Sequence, residues 1–478
     1  MEDAPLVRTR DLLLDAGFTG SGLAQLLRTG VPLNLPRAEI PRARLLLEVD
    51  RTLDCLTTLL VLGDAVGATS ARRALGDHLE TLVAARLVER RGDMICPLAQ
   101  VIPHDEVLIS SDLPSPDPDP LFVPGVQGPS DLLARLTPRR HVARALDLGT
   151  GCGIQALLLS QHSEDVVATD INRRAIDVAN RNAMLNRTTR IDFRHGDLLE
   201  PVAGERFDLI AANPPYPISP EHAFVFRDAP VRGDQLCRRL IESIPAALTD
   251  EGIAVVLVSW PSAGRTPDPL TWAAETGCEA LLLVTHVRSA IDDGLVWNHE
   301  HLHDAADYQD RVRRWWSFLD REGIGAVGYG ALVLRRSAES FPWSAAVPFP
   351  PIARGAAGNY VLRLMDSHRA LARAAGDVRA LGPLVLAAGA RLNTGRHRDA
   401  EGRWITKYEL ELSGGPGISA ELDEEGAAIM SAFESPLTTT DSLSIAARRL
   451  APARSIVATD AHAIIADALR SGLLELAV

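Results

Sequence analysis

Residues Ala145 to Ala156 read ALDLGTGCGIQA, and the fold turns on this stretch. An apolar run through Asp147 and Leu148 has the make-up of a buried strand. Gly149, Gly151 and Gly153 then alternate before a helical stretch opens. Glycines placed there let the backbone turn sharply and approach a ligand with no Cβ in the way. The spacing is G-x-G-x-G, distinct from the dinucleotide G-x-G-x-x-G. Taken alone, the segment also reads as a Gly-rich turn with no ligand.

Outward from this loop, short apolar strands alternate with helical stretches. Candidate strands are ARALDLG (from Ala143), DVVATDI (from Asp165), RIDFRHGD (from Arg190), FDLIAANPP (from Phe207), GIAVVLVSW (from Gly252), EALLLVTHV (from Glu279) and GYGALVLRR (from Gly328). RRAIDVANRNAMLN (from Arg173) and GDQLCRRLIESIPAAL (from Gly233) place apolar residues at helical spacings. Near-continuous apolar strands alternating with helices predict a parallel sheet covered on both faces. One long helix around Tyr308 to Arg321 separates the last two strands, which suggests an antiparallel edge. Two acids mark strand ends. Asp170, in VVATDIN, is placed to accept both hydroxyls of a ribose, as in other doubly wound nucleotide sites. Asp197, in HGDLLEP, ends the next strand, where an adenine amino group would sit. Each also reads as a cap for the helix that follows.

In this order the glycine loop, Asp170 and Asp197 resemble the class I S-adenosylmethionine-dependent methyltransferases. The resemblance covers roughly Leu121 to Arg336. It implies an α/β fold, a seven-stranded Rossmann-like sheet with its final strand antiparallel and S-adenosylmethionine across the ends of the first strands. LFVPGVQGPSDLLARL, from Leu121, is similar to the segment that closes over the cofactor, which puts Phe122, Val123 and Pro124 on the methionine side. The cofactor-binding set implied is these three with Asp147, Gly149, Thr150, Gly151, Cys152, Gly153, Asp170, Ile171, Asp197, Leu198 and Asn213.

FDLIAANPPY ends in Asn213-Pro214-Pro215-Tyr216, which resembles the signature of the amino-methyltransferase branch of that family. A nitrogen conjugated to a π-system has little lone-pair density to offer a methyl sulfonium. The Asn213 side-chain carbonyl and the Pro214 backbone carbonyl can accept its two N–H bonds, and neither needs the donor that proline lacks. Tyr216 supplies a planar face. The catalytic set is therefore Asn213, Pro214, Pro215 and Tyr216. The signature is similar to that of enzymes acting on adenine N6, guanine N2 and the glutamine amide of release factors. RDAPVRGDQLCRRLIESIP, from Arg227, looks like the Asp-Gly-rich segment of the release-factor enzymes. A protein glutamine is the preferred acceptor; a nucleobase in RNA or DNA, or a small molecule of specialised metabolism, are the alternatives.

Composition narrows the rest. The chain has 478 residues and a formal net charge of −13, which argues against non-specific binding to nucleic acid. Its five cysteines show no C-x-x-C spacing, so neither a disulfide framework nor a zinc ribbon fits. No signal peptide is recognisable at the N-terminus and no apolar run approaches a membrane span, which predicts a cytoplasmic protein without membrane contact. Pro-rich stretches at 110–120 and 341–358 suggest a helical, winged-helix-like part (1–118), a catalytic domain (119–345) and a C-terminal α+β winged-helix-like part (359–478). The insertion VWNHEHLHDAADYQDRVRRWW, from Val296, has no counterpart in the release-factor enzymes. Its His299, His301 and His303 read as a polar loop and no metal is expected; Trp315, Trp316 and Phe318 read as core. RLNTGRHRDAEGRW, from Arg391, sets four arginines beside Trp404. It is the best local case for nucleic-acid contact, set against a merely solvated hairpin.

Overall fold

The computed structural model describes residues 4–29, 35, 39–115, 119–221, 232–262, 269–337, 342–349, 355–398, 400–413, 417–450 and 458–477. They fall into two compact units. The first comprises Met1–Ala134, Arg140–Thr266 and Arg288–Val327; the second comprises Arg135–Arg139, Pro267–Val287 and Gly328–Val478.

The central sheet has eight strands: β1 (Val142–Leu148), β2 (Ser163–Asp170), β3 (Ile191–His195), β4 (Phe207–Ala212), β5 (Leu248–Pro261), β6 (Glu279–Ser289), β7 (Ala326–Arg335) and β8 (Ser344–Pro348). Their order is β8-β6-β7-β5-β4-β1-β2-β3. All seven strands expected from the sequence are present, and the last of them, β7, is inserted between β5 and β6. β8 is an additional strand in the stretch read as a Pro-rich linker. It pairs parallel to β6, from Ala280↔Ser344 to Val284↔Pro348. A Pro-flanked strand is tolerated there because an edge strand needs only half of its backbone hydrogen bonds within the sheet.

The order of strand addition reverses at β1, which lies between β2 and β4 and runs parallel to both. Parallel registers pair Leu148 with Thr169 and with Ala212. Gly149, Asp170 and Asn213, the next residue on each strand, therefore stand in one row at the carboxyl edge. In open α/β sheets this is the crevice that takes ligands.

Within the first unit, the described residues between 4 and 111 build a helical core closed by two antiparallel hairpins, Val88–Arg91 with Met94–Pro97 and Gln100–His104 with Val107–Ser111. Val66–Gly67 adds a third strand to the first hairpin. Leu13, Phe18, Leu59, Leu82 and Ile95 are fully buried in this core. The second hairpin meets helix α2 (Arg173–Leu185), which follows Asp170. Asn182 gives and takes backbone hydrogen bonds at Ser110 (2.7 and 2.9 Å), and Asn186, just past the helix, does the same at Leu108 (2.7 and 2.9 Å).

In the second unit, the buried Glu279 carboxylate pairs with Arg335 at 2.7 Å and Arg369 at 2.6 Å. Beyond it lie the helix Gly358–Arg373, a hairpin of Ala390–Arg398 and Trp404–Leu412, and three further helices.

Candidate active site

Gly149, Gly151 and Gly153 all have positive φ, at 76°, 54° and 85°. They do different work. A Cβ on Gly149 or Gly151 would meet nothing within 4 Å, so backbone lines open space there. A Cβ on Gly153 would lie 3.0 Å from Ala179 Cβ, so this glycine lets helix α1 (Ile154–Leu159) start against α2. The loop is tied to β2: the Gly149 and Thr150 amides both donate to Thr169 O at 2.9 Å.

Asp170 accepts from the Gly151 amide at 2.9 Å and the Asn172 amide at 2.8 Å. Burial raises its pKa, while those two amide bonds lower it. Each carboxylate oxygen keeps capacity for a further donor. Asp147 lies deeper. It is 1% exposed, and one of its oxygens takes both Thr150 Oγ1 at 2.6 Å and the Ala156 amide at 2.9 Å. Burial pushes its carboxyl up to about 7. Its contacts hold the loop and the first turn of α1. Cys152 is also buried, with its thiol pushed up to about 12 by that burial.

Ile171 is 52% exposed beside Asp170, offering an apolar surface at the rim. Asp197 is exposed, and Leu198 after it sits at φ 43°. The Asn172 side chain caps α2 through the Arg174 amide and donates to Leu121 O at 3.0 Å. That bond brings the segment holding Phe122, Val123 and Pro124 to the end of β2. Val123 is buried, while Phe122 and Pro124 are half-buried.

On the other side of β1, the Asn213 amide nitrogen donates to Ser130 Oγ at 3.4 Å. The Ser130 carbonyl accepts Gln155 Nε2 at 2.7 Å, linking the helix Gly128–Leu136 to α1 as well. Pro214 is buried and Pro215 half-buried. The Tyr216 carbonyl takes Ser259 Oγ at 2.5 Å, and burial pushes its phenol above the ordinary value. Helix α3 (Gly233–Ala247) abuts the same loop: a Cβ on Gly233 would lie 2.3 Å from the carbonyl oxygens of Tyr216 and Pro217. Residues 227–231 of the Asp-Gly-rich segment lie outside the described residues; Arg232 grips Asp234 with both arms of its guanidinium, at 2.7 and 3.0 Å.

The insertion supplies a wall that sequence reasoning missed. Its first two residues end α4 (Ala290–Trp297), and it continues into α5 (Ala305–Arg321). Trp297 meets the Tyr216 ring edge-on at 6.4 Å and stacks on Trp315 at 6.4 Å. The Trp315 indole donates to the buried Asp293 carboxylate at 3.1 Å. Glu221 pairs with Arg311 at 3.2 Å, and Arg232 with Glu322 at 2.6 Å. Of the residues read as core, Trp315 is buried, Phe318 half-buried and Trp316 43% exposed. His299 and His303 donate to the Val296 and Glu300 carbonyls, and His301 faces Asp307 at 3.1 Å. His299 and His301 lie in a short 3-10 turn and His303 in the turn that follows. Among the described residues no group of three His, Cys, Asp or Glu side chains could hold a metal ion.

The arrangement fits S-adenosylmethionine. Open space faces the backbone of Gly149 and Gly151, the half-buried Asp170 carboxylate stands next to it, and an apolar surface flanks the carboxylate. Residues 125–259 match the family described as "Methyltransferase small domain", and residues 15–98 match "Domain of unknown function (DUF7059)". This chain is 47% identical over 75 residues to a release factor glutamine methyltransferase of Xylella fastidiosa, covering 15% of this chain and 27% of that one. It is 35% identical over 127 residues to a ribosomal protein uL3 glutamine methyltransferase of Bradyrhizobium diazoefficiens (23% and 39% covered). The release factor glutamine methyltransferase of Bacillus subtilis is 35% identical over 153 residues (29% and 52% covered). The chain thus spans about a quarter to a half of the length of these relatives. Among solved structures, a methyltransferase from Pyrococcus furiosus superposes with a TM-score of 0.27 at 15% identity, covering 44% of this chain and 84% of that one.

The matched segment is a small-domain methyltransferase of the S-adenosylmethionine-dependent class. Within that class it is related to the release factor glutamine methyltransferases.

Proposed function

We propose that this protein transfers a methyl group from S-adenosylmethionine to a planar nitrogen, and that the acceptor is the side-chain amide of a protein glutamine. One observation carries the reading. Asn213-Pro214-Pro215-Tyr216 follows β4 on the rim beside Gly149, with the Asn213 amide nitrogen engaged by Ser130. Asn213 Oδ1 and the Pro214 carbonyl accept the two N–H bonds of the acceptor and turn its lone pair out of conjugation. The cofactor supplies a methyl group made electrophilic by its sulfonium. As the N–C bond forms and the S–C bond breaks, positive charge grows on nitrogen, so both hydrogen bonds strengthen in the transition state. The nitrogen then loses a proton to solvent, and no general base is required beforehand. Asp170 takes the ribose hydroxyls, Ile171, Asp197 and Leu198 the adenine, and the 149–153 loop with Phe122–Pro124 the methionine end.

The curated relatives, named for release factor and uL3 glutamines, support a protein amide over a nucleobase. An acceptor of that kind places the protein in the cytoplasm. The strand-helix-helix-hairpin order of 66–97 supports a winged-helix-like module in 1–118, recognising acceptor beside the catalytic domain 119–345, with 359–478 as a third part. The test is to incubate the protein and methyl-labelled cofactor with cell extract and separate protein, RNA and small molecules. Label recovered as methylglutamine from the protein fraction is expected; label confined to RNA overturns the acceptor.

A further inference from the structure

The hairpin of Ala390–Arg398 and Trp404–Leu412 contributes nothing to the site above, yet its two faces differ sharply. Its register pairs Arg398 with Trp404, Arg396 with Thr406, Thr394 with Tyr408 and Leu392 with Leu410. Side chains alternate across a strand, so these pairs share one face. The opposite face carries Lys407, Glu409 and Glu411, and the neighbouring strand Ser419–Leu422 adds Glu421 to it through its pairing with Glu409. Every carboxylate of the three strands is on that second face, and the chain's one lysine is paired there with Glu421 at 3.2 Å.

The first face has no carboxylate. At its root Leu410 is fully buried, whereas its outer part stands in solvent: Trp404 is 56% exposed. The guanidinium carbons of Arg396 and Arg398 lie 5.4 and 5.2 Å from the centre of the Trp404 ring. Among the described residues neither arginine has a carboxylate partner, although Glu401 stands nearby in the turn and pairs with Arg403 at 3.3 Å. In a chain of net charge −13, this is a local cationic surface with the carboxylates of its three strands sorted to the other side.

We infer that this face binds single-stranded nucleic acid, with phosphates on Arg396 and Arg398 and a base on the Trp404 platform. Flat aromatic and guanidinium surfaces suit bases, since every base has a π-face, while guanidiniums with no carboxylate partner among the described residues suit phosphates. An acidic polypeptide would satisfy the arginines and leave the indole without a role. Because none of the residues assigned to transfer belongs to the hairpin, this inference stands or falls apart from the proposed reaction.

The test uses the full chain and fluorescein-labelled twelve-nucleotide oligo(U) and oligo(dT), followed by anisotropy from 50 to 300 mM salt. Binding is expected to weaken with salt, and the double variant R396A/R398A should flatten the log–log slope by about 1.4, as the loss of two phosphate contacts on a single strand requires. W404A should weaken binding roughly 5- to 100-fold with the slope unchanged, because stacking carries no counterions. R396K/R398K should keep the slope and lose affinity, since lysine preserves charge without the flat fork. Oligo(U) above oligo(dT) identifies RNA as the source, and the reverse identifies DNA. Unchanged melting temperature and S-adenosylhomocysteine affinity certify each variant as folded. No binding at 50 mM salt, binding indifferent to all three variants, or capture of poly-glutamate in place of the oligonucleotides would overturn the inference.

Discussion

The two halves of the crevice are built in opposite ways. On the β2 side, Gly149, Gly151, Asp170 and Ile171 come from one contiguous strand-loop-helix-strand, and their mutual bonds span few residues, as in Gly151 to Asp170. On the β4 side, the Asn213–Tyr216 loop is held by Ser130, Ser259, Gly233 and Trp297, which come from widely separated parts of the chain. A cofactor of fixed shape can be met by a local cradle. An acceptor that differs between enzymes needs a pocket assembled from whatever elements a given chain adds. The expected consequence is a clean division: changes on the β2 side move cofactor affinity, and changes on the β4 side move turnover.

The largest effect should come from Asn213→Ala. Removing a transition-state hydrogen-bond partner typically costs about 10²- to 10³-fold in kcat, and calorimetry with S-adenosylhomocysteine should show affinity nearly unchanged. Turnover retained within a few-fold would remove Asn213 from the chemistry. Asp170→Ala should act on the other half, raising the cofactor dissociation constant on the order of 100-fold by loss of two charge-assisted bonds, with kcat at saturating cofactor much less affected. Should both variants lower affinity equally, the division between the halves is lost.

Gly233→Ala tests the β4 side from behind. Its Cβ would be 2.3 Å from two backbone oxygens of the 213–217 loop, so the loop or α3 must shift. A displacement near 1 Å can cost about 100-fold in rate, and a fall of roughly 10- to 100-fold in kcat without loss of cofactor affinity is expected. Trp297→Ala removes one wall while leaving the loop's backbone bonds intact. Aromatic pairs of this kind contribute about 0.5–1.5 kcal/mol, so a two- to tenfold loss in kcat/KM is the expected outcome, read with the same acceptor for both proteins. If Trp297→Ala leaves kcat/KM unchanged, the insertion is not part of the acceptor site.

The same division explains what the sequence could reveal. The glycine loop, Asp170 and the Asn213–Tyr216 loop are legible because each concentrates its chemistry in a few adjacent residues at a strand end. The succession of β1 to β7 is legible because most of these strands are largely apolar where they are buried, with β3 at the sheet edge the exception. Trp297 and Ser130 carry no local signature: an indole on an amphipathic helix and a serine near a helix start acquire meaning only through contacts across the fold. Asn182 and Asn186 did leave a trace, two amides four apart in RRAIDVANRNAMLN, where an apolar face would ordinarily continue. β8 was hidden by its prolines, which mark turns in most contexts and are compatible with an edge strand only when a partner on one side suffices.

Asp147 sharpens the comparison on the β2 side, since it belongs to the cradle by sequence position but is buried, with one oxygen taken up by Thr150 and the Ala156 amide. Burial raises its carboxyl to about 7, well above the ordinary carboxylate value. The folded state therefore holds this proton longer than the unfolded state does, and stability from this group is fully present below about pH 4 and lost as pH rises towards 7. Asp147→Asn keeps an oxygen that can accept from Thr150 and Ala156 but cannot ionise. The wild-type protein should thus lose stability relative to Asp147→Asn between pH 5 and 7, with the difference level above pH 8, as measured by denaturant unfolding of the cofactor-free chain. A pH-independent difference between the two proteins would mean that Asp147 is ionised in the fold throughout, and that its bonds to Thr150 and Ala156 outweigh its burial.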